Sequence, residues 1–178
     1  MIIFDLDGTL ADCEHRRHFV DPEKNLNYMS KAPLFGHEDK RSRFIPDWQA
    51  FYEACDQDKP IEPVLDIFRQ LNDDEYNSSE IEIWSGRCES VRDKTIAWLK
   101  KHCSFGSMNC RVLKMRPIGD TTPDDVLKEK WLDERIDDMG NQIISDIEYV
   151  FDDRPKVIRM WRRRGIFVFD VNQTGKEF

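Results

Sequence analysis

No stretch of the chain approaches the ~20 consecutive apolar residues that a bilayer-crossing helix needs, which excludes a helical membrane protein. The opening residues Met1-Ile2-Ile3-Phe4 run straight into acids, with neither a basic segment followed by an apolar one nor an Arg-rich leader, so a cytoplasmic location is expected. Cysteine is sparse and shows no pairing pattern. The five cysteines, Cys13, Cys55, Cys88, Cys103 and Cys110, are an odd number with no CxxC spacing, which suits reduced packing residues better than a disulfide framework. Base is short relative to acid: 27 Lys plus Arg face 35 Asp plus Glu, for a net charge of -8. Such a chain does not coat nucleic acid by long-range attraction, although a local basic face can still hold phosphates. The surplus carboxylates suit a divalent cation. Internal repeats, low-complexity tracts and long linkers are also lacking, so residues 1–178 read as one domain, with no obligate protein partner expected.

What the chain does have is core material in a regular order. Apolar runs of strand length recur at Met1 to Phe4, Ile81 to Trp84, Tyr149 to Phe151 and Ile166 to Val171, with helical patterns between them, the signature of an α/β fold with a mainly parallel sheet. Asp47 precedes Trp48, Phe51, Tyr52 and Cys55, one face of a helix. Thr122-Pro123-Asp124-Asp125 supplies an N-cap, a proline for the first helical position and first-turn acids. A further helix is expected from about Cys88 to His102, and another opens at Pro155. Trp98, Trp131 and Trp161 read as core anchors. Residues 12–60 break this rhythm, being polar and turn-rich (Asp21-Pro22, Ala32-Pro33, Ile45-Pro46). They read as a small cap-like insertion that leaves the first strand at its carboxyl end, where open α/β sheets bind ligands.

The densest chemistry lies in Asp5-Leu6-Asp7-Gly8-Thr9-Leu10. Strand geometry points residues i and i+2 to the same side, so Asp5 and Asp7 face one ligand where the sheet stops. Gly8 lets the chain leave sharply. Two carboxylates this close repel unless a cation or a proton lies between them, which calls for Mg²⁺ or a raised pKa. His15 and His18 beside Cys13 are the alternative metal ligands, for zinc, but no upstream residue completes such a set.

This segment resembles the signature of the haloacid dehalogenase superfamily of aspartate-nucleophile phosphohydrolases. Three further stretches are similar to that family's motifs and follow in its order: Ile83-Trp84-Ser85-Gly86-Arg87, the helix containing Lys128, and Val150-Phe151-Asp152-Asp153-Arg154. The nearer resemblance is to the 3′-phosphatase domains of bacteriophage polynucleotide kinase/phosphatases, through Arg16, Ser85-Gly86-Arg87, Gly119-Asp120, Asp124 to Glu129 and Asp152-Asp153-Arg154. The residues from Val20 to Pro60 depart from that pattern. So does the lack of a GxxxxGK[ST] phosphate loop, which leads to the expectation of a phosphatase without a kinase half.

The resemblance implies a Rossmann-like three-layer sandwich and a Mg²⁺-dependent phosphomonoesterase acting on a phosphorylated nucleic-acid end or a nucleotide. It implies that Asp5 attacks phosphorus and forms an aspartyl-phosphate, while Asp7 protonates the leaving oxygen and later activates water. Two roles need two environments, with Asp5 ionised and Asp7 protonatable. Mg²⁺ is assigned to the Asp5 carboxylate, the Asp7 main-chain carbonyl and the Asp152/Asp153 pair. Ser85 donates to a phosphate oxygen, Lys128 offsets charge, Arg16, Gly86 and Arg87 contact substrate, and Asp124 orients Arg87 or Lys128.

Several readings stay open on sequence alone. A mononucleotide or small-metabolite phosphatase uses the same motifs, and a non-catalytic end-binding module keeps the same fold. The run Lys156, Arg159, Arg162, Arg163 and Arg164 is either a solvated face or a contact with a nucleic-acid backbone. Trp48, Phe51 and Tyr52 either pack a core or stack a base.

Overall fold

Seven short or medium strands and seven helices alternate in a computed structural model that describes residues 1–29, 44–73, 79–106, 109–140, 142–173 and 175. The strands are β1 (Ile2–Phe4), β2 (Ala11–Asp12), β3 (Lys59–Pro60), β4 (Ile81–Cys88), β5 (Cys110–Arg116), β6 (Tyr149–Asp152) and β7 (Val168–Asp170). The helices are α1 (Leu26–Met29), α2 (Trp48–Glu53), α3 (Glu62–Asp73), α4 (Arg92–Cys103), α5 (Asp124–Met139), α6 (Gln142–Asp146) and α7 (Pro155–Arg163).

Five strands form one parallel sheet in the order β5-β4-β1-β6-β7. β1 lies at its centre because Ile2-Ile3-Phe4 is apolar on both sides, as a strand covered on two faces must be. Alternate residues then serve different layers. Ile2 and Phe4 join a core with Val64, Leu65 and Phe68 of α3 and Trp98 and Leu99 of α4. Ile3 joins Trp84, Leu127, Trp131, Val157 and Trp161, the layer of α5 and α7. The fold is therefore an α/β three-layer sandwich, with Trp98, Trp131 and Trp161 buried in it as expected. From β1 the chain winds outward through β4 to β5, then returns to the other flank for β6 and β7. The reversal leaves a crevice between the carboxyl ends of β1 and β6, the place where such sheets bind ligands.

Several element boundaries differ from the sequence reading. β4 runs on to Cys88, and α4 begins only at Arg92 after a 3₁₀ turn over Glu89–Val91. Pro123, not Thr122, occupies the N-cap of α5, with no side-chain cap bond. α3 and β5 were not anticipated. A short antiparallel ribbon pairs Ala11 with Pro60 and Asp12 with Lys59, bringing the two ends of the 12–60 excursion together. Part of that excursion, including the Ala32-Pro33 turn, lies outside the described residues.

All five cysteines are free thiols and buried. Burial pushes Cys13 and Cys103 each up to about 12, so almost none is thiolate near neutral pH. Iodoacetamide at pH 8 is expected to label no cysteine in the folded protein and all five after denaturation, read by mass spectrometry. Fast labelling of Cys13 in the native state would contradict the packing described.

Candidate active site

Three charged clusters converge on the carboxyl end of the sheet. The first is acidic around one ammonium. β1 delivers Asp5, whose main-chain amide still donates to Phe151 of β6 at 2.9 Å, and β6 ends in Asp152, with Asp153 next in the chain. Carboxylate oxygens of Asp5, Asp152 and Asp153 all lie within 4.8 Å of one another. Lys128, one turn into α5 and almost fully buried, donates through Nζ to Asp5 Oδ1 and to Asp152 Oδ2, both at 2.7 Å. Asp152 Oδ1 accepts from the Arg154 amide at 3.1 Å, so both of its oxygens are engaged. Asp153 differs: its Oδ1 is buried with no hydrogen-bond partner.

Electrostatics here follow from crowding. Burial, opposed by Lys128 and reinforced by Asp152 and Asp153, holds the Asp5 carboxyl well above the ordinary carboxylate range. Burial and the Asp152 charge push Asp153 up to about 7. Burial alone would lower Lys128, but Asp152 and Asp5 outweigh it and keep the ammonium charged. Three carboxylates with one ammonium leave an excess of negative charge and an orphaned oxygen, the donor set that a hard divalent cation takes.

The backbone needed to bring this cluster together is tight. Gly8 has φ of +89°, and a Cβ there would collide with the Asp153 carboxylate. The Asp5-to-Thr9 turn thus requires glycine for both its conformation and its closeness to β6.

The second cluster surrounds Asp7. Arg16, on a 3₁₀ turn over Glu14–Phe19, donates to Asp7 Oδ1 at 2.7 Å, and Arg87 donates to the same oxygen through Nε at 2.8 Å and a terminal nitrogen at 2.5 Å. Asp58, just ahead of β3, links the two arginines. It accepts from Arg16 at 2.8 and 2.7 Å and from Arg87 at 2.5 Å. The side chains of Arg16, Arg87 and Asp58 are all fully buried. The Arg16 guanidinium also lies 4.1 Å above the Phe51 ring, which ties α2 to the cluster. Burial favours protonated Asp7, but Arg87 and Arg16 prevail and hold its carboxyl well below the usual range. The protein's own charges thus raise the Asp5 carboxyl and lower that of Asp7, the balance that a bound cation and a phosphoryl group would then change. Asp58 escaped sequence reasoning because Asp56-Gln57-Asp58 looks like any polar turn; its burial alone singles it out. His15, weighed above for zinc, points its Nε2 at Asp58 Oδ1, 2.8 Å away.

The third cluster belongs to Asp124. Its two oxygens accept from Arg116 and Arg154, not from Arg87 or Lys128, which corrects its expected partners. Asp124 also lies over Gly86, where a Cβ would come within 2.8 Å of its Oδ1. A cavity of about 600 Å³ opens above these clusters. Of the expected site residues, Asp5, Asp7, Gly86 and Asp124 line it, whereas Ser85, Arg16, Arg87, Lys128, Asp152 and Asp153 do not. Ser85 Oγ accepts from the Arg87 amide at 3.2 Å, which leaves its hydroxyl proton to donate elsewhere. In the basic run of α7, Arg163 and Arg164 pair with Glu129, and Arg164 also with Asp133, so these two are spent on α5. Phe51 packs inward, but Trp48 is 47% exposed on the cavity wall and departs from the core reading.

With this geometry in place, a family model described as the polynucleotide kinase PNKP phosphatase domain matches residues 36–175. The chain belongs to this family. The matched span takes in Ser85, Lys128, Asp152 and Asp153, while β1 with Asp5 and Asp7 precedes it. The chain is thus a phosphatase-family hydrolase of the haloacid dehalogenase type. A protein of Autographa californica nuclear polyhedrosis virus, provisionally described as a bifunctional polynucleotide kinase/RNA ligase, is 32% identical over 139 residues, covering 75% of this chain and 18% of its own length. Among solved structures, a Pnkp1/Rnl/Hen1 RNA repair complex contains a chain that superposes with a TM-score of 0.60 at 22% identity, over 96% of this chain and 41% of that one. A haloacid dehalogenase-like hydrolase from Streptococcus pneumoniae gives a TM-score of 0.57 at 15% identity, over 95% and 82% of the two chains. The latter two likenesses establish the fold. The PNKP-family chain described here spans less than half of the viral protein and of the repair-complex chain.

Proposed function

We propose that the chain is a Mg²⁺-dependent phosphomonoesterase that removes 3′-phosphate from nucleic-acid ends through an aspartyl-phosphate on Asp5. The observation that carries this reading is the convergence of Asp5, Asp152 and Asp153 at the crevice between β1 and β6, with Lys128 bonded to the first two. Membership of the PNKP phosphatase-domain family supports the substrate class. Residues 12–60 serve in this reading as a cap-like insertion, because the β2–β3 ribbon returns them to the lip of the site.

The donor set fits Mg²⁺. Asp5 and Asp153 would bind through carboxylate oxygens and Asp7 through its main-chain carbonyl, with Asp152 next to them orienting Lys128. The orphaned Asp153 Oδ1 favours Asp153 over Asp152 as the direct ligand. Bound there, the ion neutralises carboxylate and phosphoryl charge that Lys128 alone cannot offset.

The chain's own residues then divide the work. Asp5 attacks phosphorus in line, and the P–O bond to the leaving oxygen breaks as that oxygen takes a proton from Asp7. The arginine bonds to Asp7 fall on Oδ1, and in this reading Oδ2 carries the proton for the leaving oxygen. The arriving phosphoryl dianion raises the Asp7 pKa from its depressed value by like-charge repulsion, which couples protonation of the acid to substrate binding. Asp7 afterwards takes a proton from the water that cleaves the aspartyl-phosphate.

The test is release of inorganic phosphate with Mg²⁺ from a 3′-phosphorylated oligonucleotide and from free 3′- and 5′-nucleotides. The expected result is a kcat/KM roughly tenfold or more in favour of the oligonucleotide, lost on chelation and restored by added Mg²⁺. Equal rates on all three substrates would move the assignment to a mononucleotide or small-metabolite phosphatase. Tight oligonucleotide binding without release at any divalent metal would leave a binding module.

A further inference from the structure

One part of the cavity has no role in the phosphoryl chemistry. Trp48 stands on its wall with nearly half its surface exposed, and Ile118, also lining the cavity, is 74% exposed. Both lips are built rigidly. On one side, Asp47 caps α2 by accepting from the Ala50 amide at 2.9 Å, and the Trp48 ring is braced edge-on against Phe51 at 5.7 Å and by Tyr52 at 6.1 Å. Phe51 in turn lies under the Arg16 guanidinium, which holds Asp7. The indole is thereby linked to the phosphoryl site through two side chains, Phe51 and Arg16. On the other side, the turn bearing Ile118 is tied down by Asp120, which accepts from the Thr122 amide at 2.6 Å, and by Arg116, which donates to the Thr122 carbonyl at 2.5 Å.

The charges of this cavity do not suit a phosphodiester backbone. Its two arginines, Arg116 and Arg154, are both paired to Asp124, and its rim adds Glu53 and Asp120. The wall therefore offers apolar and aromatic surface in place of free cations. Its volume falls within the ~300 to 1,000 Å³ of small-molecule sites, enough for one nucleoside unit beside the phosphate.

We infer that Trp48 is a specificity-determining residue that stacks the base of the terminal nucleotide, with Ile118 lining the same cavity, so that this cavity reads the nucleoside bearing the phosphate, while any preference for a longer strand is set outside it. This inference rests on the proposed phosphatase reading and names the part of the substrate that Trp48 of α2 recognises. Stacking needs only a π-face, so it tolerates all bases.

The experiment compares two 3′-phosphorylated oligonucleotides, one ending in a normal nucleotide and one in a tetrahydrofuran abasic analogue, with wild type, Trp48→Ala and Trp48→Phe. Wild type is expected to prefer the base-bearing end by roughly tenfold in kcat/KM, carried by KM. Trp48→Ala brings that ratio close to one, and Trp48→Phe keeps most of it. An unchanged ratio in Trp48→Ala overturns the inference, as does a loss in Trp48→Phe as complete as in Trp48→Ala, since the effect would then not be stacking. No phosphate release from either oligonucleotide by wild type, with an aryl phosphate still hydrolysed, would overturn the nucleic-acid reading beneath it.

Discussion

Asp5→Asn is expected to release no measurable inorganic phosphate from any monoester, a loss on the order of 10⁴-fold or more, as for removal of other enzyme nucleophiles. The substitution keeps the shape of the side chain, so the loss would be chemical. Its effect on stability should have the opposite sign. Asp5 is one of three carboxylates within 4.8 Å, and burial already holds its carboxyl well above the ordinary range. Replacing it with a neutral amide relieves repulsion that Lys128 only partly offsets. The variant without metal is therefore expected to melt at the same temperature as wild type or higher, as when strained functional sites are neutralised. Adding Mg²⁺ should then stabilise it less than wild type, because one ligand is gone. Calorimetry with and without Mg²⁺, together with a phosphate-release assay, checks all three points. Normal turnover by Asp5→Asn would remove the aspartyl-phosphate from the mechanism, and a large drop in melting temperature would make Asp5 a structural residue.

The division between what the sequence revealed and what it concealed has a physical origin. The central strands were legible because a strand covered on both faces is a short apolar run, and β1 and β6 each end in acids that no core accepts. Their carboxylates were readable as a site for the same reason. β5 was not legible, because Cys-Arg-Val-Leu-Lys-Met-Arg carries charges at a sheet edge, and an edge strand needs only one well-covered face. α3 is hidden in the sequence although Val64, Leu65 and Phe68 form its buried stripe, since it follows directly on the irregular segment. Pairings were the least accessible. Asp124 could be recognised as a first-turn acid, but its attachment to Arg116 and Arg154 depends on how β4, β5 and β6 splay at their ends. The environments of Asp5 and Asp7 could not be told apart from DxD alone, because the first is set by Lys128, Asp152 and Asp153 and the second by Arg16, Arg87 and Asp58, all outside the motif.

Asp58→Ala carries the largest expected cost in stability. Arg16 and Arg87 are fully buried and share this carboxylate, so its loss leaves two guanidinium charges on the single carboxylate of Asp7. Removing one partner of a buried ion pair costs about 3 to 5 kcal/mol. For a chain of this size, that lowers the melting temperature by roughly 10 °C. Activity should fall as well, by about 10²-fold, because Asp7 would no longer be held between two arginines of fixed position. Asp58→Asn separates charge from shape. It preserves the packing and one acceptor but not the charge, so it should recover only a small part of either loss. The response to acid gives an independent reading. Against the effect of burial, Arg87 and Arg16 hold the folded-state Asp7 carboxyl below its ordinary value, so Asp7 contributes stability that is present above about pH 4 and disappears as pH falls through the lower folded-state value. Asp58 does not share this behaviour, because burial holds its carboxyl above the ordinary value in spite of both arginines, and it gains its proton before Asp7 does. An unchanged melting temperature in Asp58→Ala would mean that the two arginines are compensated elsewhere, and the account of how Asp7 is held would fail with it.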